Sequence, residues 1–342
     1  MAKRVTIIDV AATAGVSIST VSVALNGQPG VSDATRRRIV AVAEKSGWVP
    51  SLRGRSLSQG RAFAIGLVLQ RNPKVLEADP FFAGFIGGVE TVLERRGYAL
   101  VLQLATSPAQ LVERSRRLVL DRRIDGVFLT DIMVEDARIP LLTELGLPTV
   151  AVNMASPGPF PTVRQDHEPG LRDLMAYLVS LGHTRIAHVG GKKGFVHTAQ
   201  REQAWRAGLA VAGLPRGPFV QGDFTSESGA RAADRLLRLH DRPTAVVCAN
   251  DLSAIGFIAR ADALGFGVPD DVSVTGFDGI QLGSYIRPRL TTLTTSPHDL
   301  GSSAAELLLA GIDGRHVSDV SIPAAKLLIC DSVAPPADIH PR

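Results

Sequence analysis

The sequence predicts an all-α helix-turn-helix head followed by a two-lobed α/β body with parallel sheets. Three observations carry this. Residues 6–57 hold three short capped segments with helical apolar spacing. From Phe63 onward, short β-rich runs alternate with helical patterns, as βα units do. At 342 residues the chain is also too long for one ordinary core, so two or three domains are expected.

In the head, Thr6 can cap a first helix, and Asp9 three residues on favours the positive end of its dipole. Ile7, Val10, Ala11 and Ala14 then line one face. Gly15 stops the helix and Val16 turns inward. Ser17 starts a second helix with Val21, Ala24 and Leu25 inside and Ile18, Ser19, Ser22 and Val23 outside, flanked by Thr20 and Asn26. Two helices joined by a short Gly-containing turn make a helix-turn-helix. Asn26-Gly27 ends the second helix. Ser32 caps a third, with Ile39, Val42 and Ala43 inside and Arg36, Arg37 and Arg38 outside. Hydroxyls and amides around a helix N-terminus suit phosphate oxygens. An inert three-helix bundle, with Ser17 and Thr20 as caps only, is the alternative.

Charge separates the two. Residues 1–62 hold nine Lys/Arg against Asp9, Asp33 and Glu44, a net +6, whereas the whole chain carries +4 and residues 63–342 therefore −2. The basic excess lies wholly in the head, as expected of a module that releases counterions from a phosphate backbone.

In the body, Phe63–Leu69 reads as a buried strand and Ala83–Arg96 as a helix with Phe85, Val89, Val92 and Leu93 inward. Strands at 98–102, 126–129 and 149–152 follow, with helices around 108–122 and 135–145. The Pro/Gly-dense loop Ala155–Pro161 marks a boundary near 155–165. A second set has strands at 185–189, 219–221, 245–248 and 273–276 and helices near 168–181, 199–212, 226–239 and 251–264. Open sheets bind ligands beyond their strand C-termini. There stand Thr130, Asp131, Asn153, Phe224, Asn250, Asp251 and Asp278, and Arg201 opens the helix after Gly190-Gly191. Carboxylate, amide and guanidinium groups beside Phe and Trp suit a ligand with hydroxyls and a ring face, as a sugar has. Singly, Asn250 and Asp251 could cap a helix, Asp278 close a turn and Arg201 be a solvated charge.

Other classes lack their marks. There is no 18-residue apolar run and no apolar signal core after Met1-Ala2-Lys3-Arg4, so a cytoplasmic protein without a membrane span is expected. Cys248 and Cys330, each in a strand-like run, are expected as buried free thiols, and His183, His188 and His197 as surface or structural residues; no metal and no cofactor is expected. Gly190-Gly191-Lys192-Lys193-Gly194 lacks dinucleotide spacing, and no phosphate loop, nucleophile elbow or zinc signature occurs. Asp270-Asp271 sit in a Pro-led turn and read as solvated.

The run Ile8-Asp9-Val10-Ala11, Ala14-Gly15-Val16-Ser17, Thr20-Val21-Ser22, Leu25-Asn26, Val31-Ser32, Thr35-Arg36 resembles the head of the lactose-repressor (LacI) family of bacterial transcription regulators. The later run Ala249-Asn250-Asp251, Ala254-Ile255-Gly256, Val268–Asp278 and Leu290-Thr291-Thr292 is similar to its body, so the resemblance covers nearly the whole chain. It implies a homodimer on a near-palindromic double-stranded operator, a periplasmic-binding-protein-like body sensing a small molecule such as a sugar, and a hinge helix in the minor groove. Residues 1–50 would be the DNA-binding domain, 51–62 the hinge helix and linker, and 63–342 the effector-binding and dimerisation body, with crossovers near 290 and 320.

Ile18, Ser19 and Val23 would then meet bases. Thr6, Ser17, Thr20, Ser22, Asn26, Arg53 and Arg55 would complete the DNA surface, with Leu57 as a wedge between base steps. Effector contacts would be Arg201, Asn250 and Asp278 with Phe81, Phe82, Thr130, Asn153 and Phe224. Two positions depart from the family. Val23 stands where Arg is usual, which removes the common guanine contact and suggests thymine methyls instead. Gly54 stands where Ala is usual and should weaken the hinge helix by about 1 kcal/mol. The expected function is a ligand-responsive repressor and no enzyme. A solute-binding protein and a sugar-converting α/β enzyme remain the rivals.

Overall fold

The computed structural model describes residues 5–25, 29–48, 54, 56, 59–71, 79–154 and 157–337. The chain forms two compact units, Met1–Phe63 and Ala64–Arg342. No single helix among the described residues is long and apolar enough to cross a membrane.

In the first unit, α1 (Ile7–Ala14), α2 (Ile18–Leu25) and α3 (Asp33–Lys45) close on Val10, Ala11, Ala14, Val21, Ala24, Ile39 and Ala43, with Val16 and Trp48 packed against them. Thr6 and Asp9 form the reciprocal cap: the Asp9 amide donates to Thr6 Oγ1, and the Thr6 amide donates to Asp9 Oδ2 at 2.8 Å. That satisfies two donors a helix start would otherwise leave open. Gly15 ends α1 in the left-handed region, at φ 65°. Arg36 differs from expectation. Its guanidinium turns back and donates to the Ala24 carbonyl at 2.6 Å, so it caps the end of α2. Arg37 and Arg38 stay exposed.

The second unit opens with β1 (Ala64–Leu69), α4 (Pro80–Arg96), β2 (Ala99–Leu104), α5 (Pro108–Leu120), β3 (Gly126–Leu129), α6 (Arg138–Glu144), β4 (Thr149–Val152) and β5 (Thr162–Gln165). It continues with α7 (Glu168–Ser180), β6 (Ile186–Val189), α8 (Val196–Val211), β7 (Phe219–Val220), α9 (Ser226–Leu236), β8 (Ala245–Cys248), α10 (Asp251–Ala263) and β9 (Ser273–Thr275). The last elements are β10 (Thr292–Thr294), α11 (Pro297–Ile312), β11 (Val320–Ile322) and β12 (Lys326–Leu328). One parallel sheet runs β11-β5-β4-β3-β1-β2 and another β7-β6-β8-β9; β10 and β12 pair antiparallel.

The two halves are not simply in series. Late in the sequence, β11 pairs with β5 and α11 packs on α4, so both belong to the first lobe. The contact between α4 and α11 is backbone-close. A Cβ on Gly88 would run into the His298 carbonyl, and one on Gly301 into the Phe85 carbonyl. Helix α8 starts at Val196 rather than near 199, so Arg201 lies in its second turn. No side-chain cap marks that start; instead Val196 donates to the Ile132 carbonyl. Cys248 is buried, and burial pushes its thiol pKa up, but Cys330 lies just beyond β12 and is only half-buried.

Candidate functional site

The first site is the face of α2. Ser17 starts the helix: its Oγ accepts the Thr20 amide at 3.1 Å and lies 2.7 Å from Ser19 Oγ and 2.8 Å from Thr20 Oγ1. The caps expected of a plain bundle are therefore present. The same three hydroxyls nevertheless crowd the helix N-terminus beside Ile18, which is 47% exposed. Ser22 and Val23 are half-buried, and Thr6 is exposed at the start of α1. Asn26, Arg53, Arg55 and Leu57 lie outside the described residues, as does half of residues 51–62; Gly54, Ser56 and Gln59 have helical backbone.

The second site lies where the two parallel sheets end. In each, strand order reverses beside the first strand, between β1 and β3 and between β6 and β8, and such points bind ligands. A pocket there is lined by all eight residues expected: Phe81, Phe82, Thr130, Asn153, Arg201, Phe224, Asn250 and Asp278. Arg71, Asp79, Asp131, His167, His197 and Thr295 join them. Neither tryptophan does. Trp205 is core, donating to the Ile186 carbonyl at 3.3 Å, and Trp48 belongs to the head.

Four lining residues, Asp131, Asn153, Phe224 and Asp278, hold left-handed backbone, with φ of 48°, 57°, 71° and 118°. Side chains rarely adopt this region, and such strain gathers at ligand sites. The surroundings hold it in place. Asp278 donates its amide to the Leu293 carbonyl at 2.9 Å, and its carbonyl accepts from the Thr295 amide and hydroxyl, both at 3.0 Å. The buried Asp251 carboxylate accepts from the Ile280 amide at 2.7 Å and from Thr292 Oγ1 at 2.5 Å, fixing the turn that carries Asp278. Gly191 leaves room for Phe224, whose ring a Cβ there would strike.

Charges are paired inside this shell. Arg71 Nη2 donates to Asp131 Oδ1 at 3.1 Å, its Nε lies 3.0 Å from Oδ2, and both side chains are buried. The Arg71 guanidinium also faces the rings of Phe82, Phe195 and Phe224 at 5.3–5.8 Å. Arg201 stacks 3.5 Å over Phe277, donates to the Ala249 carbonyl at 2.5 Å and lies 3.9 Å from Asp278 Oδ1. Its Nε is buried without a hydrogen-bond partner among the described residues. Burial raises the Asp278 pKa well above the usual carboxylate range against the pull of Arg201, and it raises Asp79 against the pull of Arg71.

Burial, with Arg201 adding to it, drives both His167 and His197 down to about 3. Both are thus neutral near pH 7, each with one donor and one acceptor nitrogen. His197, expected at the surface or in a structural role, instead stacks between Phe195 and Phe224 and lines the pocket; His183 and His188 are buried in the second lobe. Asn250 does double duty: Oδ1 caps α10 through the Ser253 amide at 3.1 Å, and Nδ2 donates to the Phe224 carbonyl at 2.9 Å. Neutral imidazoles, carboxylates, hydroxyls and aromatic rings together suit a small ligand rich in hydroxyl groups. Among the described residues, no group of side chains is arranged to hold a metal ion.

Comparison with known proteins adds a second line. The family model of bacterial regulatory proteins, lacI family, matches residues 6–51, and that of a periplasmic binding protein-like domain matches residues 175–333. The HTH-type transcriptional repressor CytR of Escherichia coli (strain K12) is 32% identical over 328 residues, 95% of this chain and 94% of the repressor. Among solved structures, a complex of the transcriptional regulator CelR with cellobiose superposes with TM-score 0.73 at 31% identity, covering 96% of this chain and 100% of that one. The Lac repressor bound to ONPG in the repressed state gives TM-score 0.80 at 26% identity, covering 96% and 100%.

Proposed function

The chain belongs to the lacI family of bacterial regulatory proteins, and on that premise we propose how its parts divide the work. It is a ligand-responsive, sequence-specific DNA-binding transcriptional repressor, not an enzyme. Residues 1–50 read the operator: Ile18, Ser19 and Val23 meet base edges, while Ser17, Thr20, Ser22 and Asn26 hold phosphates, and Thr6 with Arg53 and Arg55 of the hinge completes the DNA surface. Residues 51–62 form the hinge, with Leu57 the minor-groove wedge. Two copies act together on a near-palindromic site, in the cytoplasm where the DNA is.

Residues 63–342 bind the effector and form the dimer. The effector is a sugar or a similarly small polar molecule held between Asp278, which accepts from hydroxyls, and Arg201, which donates. One observation supports this best: strained polar residues from the ends of both sheets converge with aromatic rings in one pocket. The test is selection of bound double-stranded DNA by the purified chain, repeated with added sugars. A near-palindromic site from which a sugar releases the protein is expected. Absence of any enriched site would overturn the reading.

A further inference from the structure

The pocket at the sheet ends measures about 70 Å³, far below the roughly 300–1,000 Å³ of ordinary small-molecule sites. One side of it is closed. Beyond β3 and before α8 the lobes are tied by an antiparallel backbone bridge, Val134 donating to the Gly194 carbonyl and Val196 to the Ile132 carbonyl, both at 2.9 Å. Ile132 and Val196 form that wall. Elsewhere, Asn153, His167 and Arg201 line both this pocket and a second compartment of about 630 Å³.

The outer compartment has its own chemistry. Gln200, Gln203, Ala204 and Ala207 recur at one-turn spacing on α8 and present a face of two amides and two small residues. Neither glutamine has a hydrogen-bond partner among the described residues, and Arg164 Nε is buried without one. Arg164 and Arg201 are balanced by Asp166 and Glu168, so the walls carry no net charge. No aromatic ring but the His167 imidazole at the throat lines it, whereas phenylalanines line the inner pocket.

We propose that the effector has two units, and that its second unit, a hydroxyl-rich and uncharged ring such as the second sugar of a disaccharide, sits in this outer compartment against Gln200, Gln203 and Arg164. This rests on the sugar-effector reading above. An amide both donates and accepts, as a hydroxyl does, and so can serve a polyol whichever way its hydroxyls point. The balanced charge disfavours a phosphorylated unit, and the lack of rings a stacked base.

Calorimetry on the full chain tests it, with cellobiose and maltose each set against glucose, and lactose against galactose. At least one disaccharide is expected to bind about tenfold or more tightly than its own monosaccharide, from the added hydrogen bonds. Gln200→Ala with Gln203→Ala should erase about tenfold of that advantage. Ala204→Phe, which fills the compartment, should do the same, and the exposed glutamine pair keeps the test intact should Ala204→Phe not fold. Monosaccharides that bind as tightly as their disaccharides in every pair, or a ratio unmoved in the glutamine variant, would overturn the outer subsite and leave the sugar reading standing. A chain that binds selected DNA yet none of these sugars would overturn both.

Discussion

Asp278 combines a desolvated carboxylate with a backbone angle that side chains avoid, and two substitutions separate these effects. Asp278→Ala and Asp278→Gly remove the same carboxylate and leave Arg201 with the same loss, so charge cancels when the two are compared. Backbone strain remains. At φ 118° a residue bearing Cβ is strained by about 1–3 kcal/mol. Glycine escapes that, but loses roughly 0.5–1 kcal/mol more chain entropy on folding. The glycine variant should therefore be the more stable by about 1 kcal/mol, or about 2–4 °C in Tm. Urea unfolding followed by circular dichroism reads the difference. In both variants the effector should bind more weakly by about 1.5–3 kcal/mol, because an acceptor is missing from a desolvated pocket. A glycine variant no more stable than the alanine variant would refute the strain argument, and unchanged sugar affinity would place the ligand elsewhere.

The head, with its net +6, should lose affinity for a selected site by roughly a thousandfold between about 50 and 200 mM salt, read by fluorescence anisotropy; a flat profile would mean that it does not neutralise phosphates. Val23→Arg should shift preference toward guanine at one position per half-site in a repeated DNA selection, and an unchanged preference would turn Val23 away from the groove. Stability of the body should carry a pH step from Asp251, which burial holds near pH 6 against 3.8 unfolded. Between those values only the folded state keeps the proton, so stability falls as pH rises through the window, by roughly 3 kcal/mol, and stays lower above it. Asp251→Asn should flatten that step in unfolding curves taken from pH 4 to 7, and a step of equal size in the variant would assign it to another group.

Much of this architecture was legible because its causes are local. Thr6, Ser17 and Ser32 cap helices with their own hydroxyls, and β1, β3, β4 and β8 announce themselves as continuous apolar runs. Phe224 and Asp278 could be placed because a residue just past a strand end in this fold has few other places to go. Arg71 could not. Nothing beside it in the sequence shows that rings from Phe195 and Phe224, more than a hundred residues later, cover its guanidinium. His167 and His197 were missed for the same reason, since a histidine at a helix start looks alike whether it faces solvent or a cleft. The local pattern of α11 and β11 fits either sheet, so their place in the first lobe could not be read from their own residues, and the crossovers near 290 and 320 were expected only from the family resemblance.

That last feature has a consequence for synthesis. A ribosome delivers β1 to β5 in order, yet the face of α4 that carries Gly88 stays bare until α11 emerges, and the β5 edge waits for β11. By then the second lobe's own four-stranded sheet is already complete. The lobe begun first thus stays incomplete until after the second lobe's sheet is formed, with an apolar helix face and an open strand edge exposed over much of translation, the kind of surface that holding chaperones cover. A nascent chain stalled before residue 297 should expose that face, and one released after residue 322 should not.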